Sequence, residues 1–561
     1  MGSIRTERVS VRAVQVTILA VAASLSLTCL TAAPYAEINV IELTAADAET
    51  ALSSHQYTSR QLTETFLQRI KKYNPLYNAI ITLNGDALYE ADEADARRAA
   101  GKTLGPLDGV PVVVKDTMDV AGLPTTAGWS RLSARSGGVD LVPQFDAPVV
   151  ARLRAAGAVI IGKTNVPVFS ISGETANDSW AGPTYNAAAP TRAPGASSSG
   201  TATAVAASFA VLGLGEETGG SIQNPSAAQA LVGIKPTFGL VPNAGVVPLG
   251  GSTRDVVGPL AKNVRDAALV LDVLAGYSAE DPKTVASFGH TPVGSSYAAG
   301  LSESSLQGKR IGLFGPGWYG SKLSSETASL YQQVVEELRR EGAEVVADPF
   351  AGSGFAALER VSGDISHYDQ RGEEAIAYDL QNYLARLGPQ AAVHTLSELI
   401  SRTGQDPFDQ HGPLAYELSY PPTRPIVVAS LQNPSRPPDL SAFRAAREQY
   451  VATLNAVMDR HRLDALIYPQ SLSEAPRLFD REQIIPTSTS ALNIGGFPGI
   501  CVPAGYYASG TPFGIIIIGR LWDESNLLRI AYAYEQHTHA RRTPKLLDSA
   551  AALPRATSIQ Q

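Results

Sequence analysis

Two serine-bearing turns bracket a run of small residues between Gly195 and Thr237. Ser197, Ser198 and Ser199 lie between Gly195-Ala196 and Gly200, and Ser221 follows Thr218-Gly219-Gly220. Hydroxyls beside glycines, on backbone that can approach a ligand closely, suit an acyl-transfer site. Amide bonds resist attack because the carbonyl is resonance-stabilised and the amine leaves poorly. A hydrolase must therefore activate a nucleophile, hold an oxyanion and protonate the departing nitrogen. The usual base for a serine is missing, since no histidine stands between His55 and His290. What remains is a lysine desolvated enough to be neutral. Lys115 closes the apolar run Pro111 to Val114, where burial would lower its pKa, and Lys235 competes because it also follows an apolar run. Singly these features are ordinary: Gly-Gly-Ser is commonly a plain turn, and a lysine after a strand is commonly at the surface. Their conjunction carries the reading. No Gly-Lys-Ser/Thr follows the glycines, which argues against a nucleotide loop, and neither Ser197 nor Ser221 sits in a Gly-x-Ser-x-Gly elbow.

The elements that must position these groups are legible from periodicity. Thr201 to Ala210 is nearly all Ala, Val, Thr and Ser, so a helix there can pack tightly and leave a serine turn at each edge. Thr44 and Thr58 read as helix N-caps; Thr58 and Gln61 have capping-box spacing, and that helix should run through Ile70 and end at Tyr73-Asn74-Pro75. Asp146 is expected to cap a helix through Ala156. Helices are also expected at Ala87–Ala100, Glu326–Glu341, Ser441–Arg460 and Glu524–Thr538. Strand signals fall at Ala79–Leu83, Val110–Val114, Ala158–Ile161, Arg310–Phe314, Glu344–Val346, Ala465–Tyr468, Gly499–Pro503 and Phe513–Ile518. The alternation argues for an α/β layered fold with a largely parallel sheet. No linker-like stretch divides the chain, so residues 37–548 read as one domain, followed by a C-terminal tail over 549–561. The irregular segment 351–438 is either a helical cap shaping a pocket mouth or a peripheral elaboration.

The totals narrow the function further. A chain of 561 residues, 44% hydrophobic and 17% charged, is an ordinary globular protein able to bury a large core. The net charge of −8 and the lack of any long Lys/Arg run give no support to a nucleic-acid partner. Two cysteines, Cys29 and Cys501, can build neither a metal set nor a disulfide framework. Arg5, Arg8 and Arg12 precede a charge-free run from Ala13 to Ala36 with an apolar heart, the layout of a secretory signal peptide over residues 1–36. An uncleaved membrane anchor is the alternative; the first reading implies a secreted or periplasmic protein.

The same stretches resemble the amidase signature family. Gly195-Ala196-Ser197-Ser198-Ser199-Gly200 is similar to its first serine turn. Gly215-Glu216-Glu217-Thr218-Gly219-Gly220-Ser221-Ile222-Gln223-Asn224-Pro225 is similar to its G-T-D-x-G-G-S-I-R-x-P segment, and Gly233-Ile234-Lys235-Pro236-Thr237 to its G-L-K-P-T. Leu107 to Asp116 looks like the strand carrying the family's lysine. Ala155–Asn165, Asp255–Leu260 and Gly495–Pro498 look like further landmarks. The resemblance implies an α/β amidase signature fold: a large mixed central β-sheet covered by helices on both faces. It also implies a Ser-cis-Ser-Lys triad, with Ser221 as nucleophile, Ser197 as bridging serine after a cis bond at Ala196–Ser197, and Lys115 as base. The oxyanion would rest on the amides of Thr218, Gly219, Gly220 and Ser221, with Ser198 in support and Lys235 on a structural position. No cofactor and no metal are implied, and the substrate would be a small-molecule amide. Walls of the pocket should come from Met118–Trp129, Val166–Glu174 and the irregular middle, so Trp129, Phe169 and Ile171 lean toward an apolar or aromatic group. The chain departs from the pattern at Ala196 and Ser199, each in place of glycine, at Glu216-Glu217 in place of Thr-Asp, and at Gln223 in place of arginine. The expected protein is an exported amidase. Alternatives are an esterase or carbamate hydrolase of the same family, the glutaminase subunit of a tRNA-dependent amidotransferase, and a non-catalytic binding homologue.

Overall fold

The computed structural model describes residues 1–2, 38–315, 322–358, 371–419, 421, 423–480, 482–488 and 490–554. The expected signal peptide, apart from its first two residues, lies outside the described residues, as does the tail beyond residue 554. Asn39–Gln561 cluster as one compact unit. No helix among the described residues is long and apolar enough to cross a membrane.

Thr44 is an N-cap, its hydroxyl accepting the Asp47 amide at the head of helix Ala45–Ser53. The capping box at Thr58 and Gln61 forms, and its helix runs over Ser59–Tyr77, past the expected stop. Pro75 removes one amide, yet the last turn survives because Asn74 takes over the end. Its Oδ1 accepts the Ala79 and Ile80 amides, and its carbonyl accepts the Asn78 amide, where Asn78 adopts φ 48°. Asp146 does not cap the next helix. That helix, Pro148–Ala155, opens with Pro148 after Ala147 and has no side-chain cap. Asp146 instead accepts the Ala121 amide at 2.8 Å and pairs with Arg154 at 2.9 Å, because the loop beside it supplies a competing donor.

Eleven strands join in one sheet: β1 (Ile80–Leu83), β2 (Pro111–Lys115), β3 (Val159–Thr164), β4 (Leu212–Glu217), β5 (Val232–Lys235), β6 (Val256–Ala261), β7 (Arg310–Leu313), β8 (Glu344–Val346), β9 (Ala465–Pro469), β10 (Gly499–Tyr506) and β11 (Pro512–Ile518). Their order is β1-β3-β2-β4-β6-β5-β10-β11-β9-β7-β8. The sheet is mixed, which corrects the largely parallel arrangement expected from the alternation. Pairs β3–β2–β4 and β9–β7–β8 are parallel, but β4–β6–β5–β10–β11–β9 runs antiparallel through the centre. The short turn between β10 and β11 makes a hairpin, and a hairpin can only pair antiparallel strands. Every residue of β2 to β6, β9 and β11 is buried, which requires cover on both faces.

The central strands β4, β5 and β6 were not among the sequence's strand signals, because glycines interrupt them. Those glycines are sites of close approach. A Cβ on Gly213 would meet Thr201 Cγ2 at 2.5 Å, and one on Gly233 would meet Ser226 Oγ at 2.2 Å, so they set the helices Ser199–Ala206 and Gln223–Ala228 tight against the sheet. A Cβ on Gly258 would lie 1.8 Å from the Ile234 carbonyl oxygen, on backbone that cannot yield. Gly258→Ala should therefore cost about 3 kcal/mol or more, read as a lowered urea midpoint or loss of soluble protein.

Candidate active site

The edge of the sheet where β2 and β4 end collects the chemistry. These strands are parallel, with Val114 opposite Leu214, so Lys115 at the end of β2 lies beside the Glu216-Glu217 end of β4. The chain then turns through Thr218–Ser221 into helix Gln223–Ala228. The other serine turn packs beneath it. A Cβ on Gly195 (φ 71°) would fall 2.6 Å from Pro225 Cα, and one on Gly200 would fall 2.3 Å from the Asn165 nitrogen. Glycine at these two positions lets the turn lie against both neighbours. Ala196, which replaces a glycine of the family pattern, fits: it is fully buried, and its amide donates to the Gly173 carbonyl at 2.9 Å. The Ala196–Ser197 peptide bond is cis.

Lys115 Nζ donates to Ser197 Oγ at 2.7 Å. It also contacts Glu216 Oε2 at 2.7 Å and the Glu216 carbonyl at 3.2 Å. Lys115 and Ser197 are both 0% exposed. Burial pushes the Lys115 ammonium below its ordinary value, opposed by the Glu216 carboxylate. Ser198 ties the turns together: its amide donates to the Ser221 carbonyl at 3.3 Å, and its hydroxyl donates to the Glu216 carbonyl at 3.3 Å. Ser221 is 8% exposed, so a small approach to it stays open. Its hydroxyl is not hydrogen-bonded to Ser197 or to any other described residue. The amides of Thr218, Gly219, Gly220 and Ser221 likewise donate to no acceptor among the described residues, while Gly219 itself is exposed. A row of unused amides beside an accessible hydroxyl can hold a developing oxyanion.

Glu217 braces this turn from behind. Its Oε2 accepts the Ile222 and Gln223 amides at 2.9 and 3.1 Å, and its Oε1 accepts from the side chains of Gln223 and Asn493. The arginine of the family pattern is thus replaced by a charge-assisted hydrogen bond from Gln223.

The family model described as Amidase matches residues 61–528 of this chain. The chain belongs to the amidase signature family. It is a hydrolase of carbon–nitrogen bonds other than peptide bonds. A probable amidase of Arabidopsis thaliana is 31% identical over 520 residues, covering 91% of this chain and 92% of the plant protein. A glutamyl-tRNA(Gln) amidotransferase subunit from a Synechococcus strain is 31% identical over 508 residues, covering 88% of this chain and 92% of that one. Among solved structures, the peptide amidase from Stenotrophomonas maltophilia superposes with a TM-score of 0.72 at 34% identity, over 91% of this chain and 99% of that one.

The remaining site residues of the amidase divide. Lys235 lies away from the serines; its Nζ donates to the carbonyls of Pro236 and Phe497, and burial pushes it down to about 8. Trp129 and Phe169, expected at the pocket wall, are 5% and 2% exposed and meet edge-on with ring centroids 5.6 Å apart. They sit in an apolar cluster with Leu249, Ile376, Leu380 and Tyr383, and Ile171 packs half-buried against it. Helices Ile376–Arg386 and Leu396–Thr403, from the segment 351–438, pack into the same cluster. The contact that sequence reasoning missed is Glu216 on Lys115. Its signal was present in the departure from threonine at that position.

No metal-ligating group of three or more His, Cys, Asp or Glu occurs among the described residues. Glu217→Ala should strip the Ile222 and Gln223 amides of their acceptor, costing roughly 1–3 kcal/mol each if they stay dry. Thermal unfolding should show the loss, and kcat should fall with it because the turn carrying Ser221 loosens.

Proposed function

We propose that the amidase hydrolyses a linear carboxamide through a covalent acyl-enzyme on Ser221, with Ser197 as the bridging hydroxyl and Lys115 as the base. The observation that carries this reading is the 2.7 Å contact of a fully buried lysine with Ser197, set beside a turn of unused amides that bears Ser221. Neutral Lys115 takes the proton of Ser197 as Ser197 takes that of Ser221, which attacks the carbonyl carbon. The oxyanion rests on the amides of Thr218 to Ser221. The proton returns through Ser197 to the nitrogen as the C–N bond breaks, and water then cleaves the acyl ester by the same relay. Ser198 keeps the two turns in register.

For the substrate, the peptide amidase relative favours peptide amides, and the half-buried Ile171 beside the Trp129–Phe169 cluster favours an apolar or aromatic group near the scissile bond. Export is part of the proposal, supported by the basic and then apolar layout of residues 1–36. A second reading draws on the amidotransferase relatives: a glutaminase subunit would release ammonia from glutamine and copurify with partner subunits.

Ser221→Ala should lower kcat by roughly 10⁴-fold or more and Lys115→Ala by roughly 10³-fold, each with the fold intact by circular dichroism. A fluorophosphonate should label Ser221 in the native protein and fail to label S221A. Most of the activity surviving in S221A would defeat the assignment. A panel of aliphatic amides, anilides, peptide amides, esters and glutamine ranks the substrate classes directly.

A further inference from the structure

Lys115 has a second partner that the relay does not use. Its ammonium hydrogens point to Ser197 Oγ, the Glu216 carbonyl and Glu216 Oε2, all within 3.2 Å. The Lys115–Glu216 ion pair is 2.7 Å long, with side-chain exposures of 0% and 1%. A buried pair of this kind resists separation, because either partner left alone would be an uncompensated charge. A carboxylate in contact also stabilises the ammonium over the amine, which opposes the work of a base.

Glu216 has further polar neighbours. Thr218 Oγ1 lies 3.1 Å from Glu216 Oε1 and 2.5 Å from Asp255 Oδ1, and Ser170 Oγ lies 3.5 Å from Glu216 Oε2. A hydroxyl has one hydrogen and cannot donate fully to two carboxylates at once. A proton on one of the two carboxyls would satisfy both contacts, and burial and the Glu216 charge push Asp255 up to about 6. Asp255 is further held by the Leu249 and Gly250 amides. Of the other charged groups nearby, Glu217 is engaged by the Ile222 and Gln223 amides, and Asp116 is paired with Lys163 at 2.9 Å. Glu216 therefore faces the base as its one directly bonded ionic partner among the described residues.

We infer that Glu216 is a positioning residue for the base: its carboxylate holds Lys115 Nζ on Ser197 and sets the pH at which the free amine appears. The inference rests on the proposed roles of Ser221, Ser197 and Lys115. It assigns a function to a residue that stands where the family pattern has threonine, and it makes Asp255–Thr218–Glu216–Lys115–Ser197 one hydrogen-bonded chain. Thr218 also lends its amide to the oxyanion turn, so the chain joins base and oxyanion site at one residue.

Glu216→Gln tests it, since it keeps the shape and removes the charge. Losing the carboxylate leaves burial unopposed, so the Lys115 ammonium becomes more acidic. The acidic limb of the kcat/KM profile should move down by about one pH unit. With the amine less firmly held, kcat should fall by about 10²-fold while KM stays within about twofold. Glu216→Asp keeps the charge on a shorter stem; its limb should stay in place while kcat falls. An unmoved limb in E216Q, or wild-type kcat in E216D, overturns the inference, and E216D alone decides it if E216Q does not fold. Labelling of Ser221 by a fluorophosphonate is run in parallel. Label on Ser221 with an unmoved limb removes only Glu216 from the mechanism, whereas label elsewhere removes the relay itself.

Discussion

The site depends on one buried ammonium-type group. Lys115 Nζ has no exposure to solvent, and its polar neighbours are Ser197 Oγ and two oxygens of Glu216. Desolvation alone would strip the proton from such a group, and a carboxylate in contact alone would fix it there. At Lys115 the two effects oppose each other. Everything nearby holds that balance in place: the cis turn that presents Ser197, the parallel pairing that sets β4 beside β2, and the Ser198 bonds that join the two serine turns.

The sheet makes the placement rigid by allowing very close approach. Gly200, Gly213, Gly233 and Gly258 each leave no room for a Cβ. Gly200, Gly213 and Gly233 set the small-residue helix Ser199–Ala206 and the helix Gln223–Ala228 against the sheet, and Gly258 lies on the Ile234 carbonyl of β5. Both serine turns emerge from the ends of those helices, so the separation of their hydroxyls follows from helix-to-sheet distances. An active-site geometry carried this way is less free to drift than one carried on a loop.

A second set of buried charges ties down the loop that follows β2. Asp116 pairs with Lys163 at 2.9 Å and accepts from Thr126, and Asp119 accepts from Thr125 and the Tyr383 hydroxyl, both at 2.9 Å. Burial pushes Asp119 up to about 6. These bonds fix the loop between β2 and the Trp129–Phe169 cluster, and Tyr383 carries the connection into the helices of the 351–438 segment. The helical layer is thereby tied to the loop that follows Lys115, by polar contacts on one side and by apolar packing on the other.

Local patterns decided much of this protein before any folding argument was needed. Thr58 and Gln61 make their capping box, the long helices at Ser325–Arg340, Ser441–His461 and Glu524–Thr538 lie within a residue of where periodicity puts them, and the outer strands follow their apolar runs. The serine turns and the lysine were legible because few residue types suit that chemistry and glycine marks where backbone comes close. Tertiary structure decided the rest. It turned the centre of the sheet antiparallel through Gly-rich strands whose apolar signal was too weak to read. It sent Asp146 to a loop amide and to Arg154 in place of a helix cap, and drew Trp129 and Phe169 into a core. It also brought Glu216 onto Lys115 from a strand 101 residues further along the chain. Caps and periodicities are set by neighbours in the chain, so the sequence states them. A partner across the sheet is set by strand order and register, which only the folded chain determines.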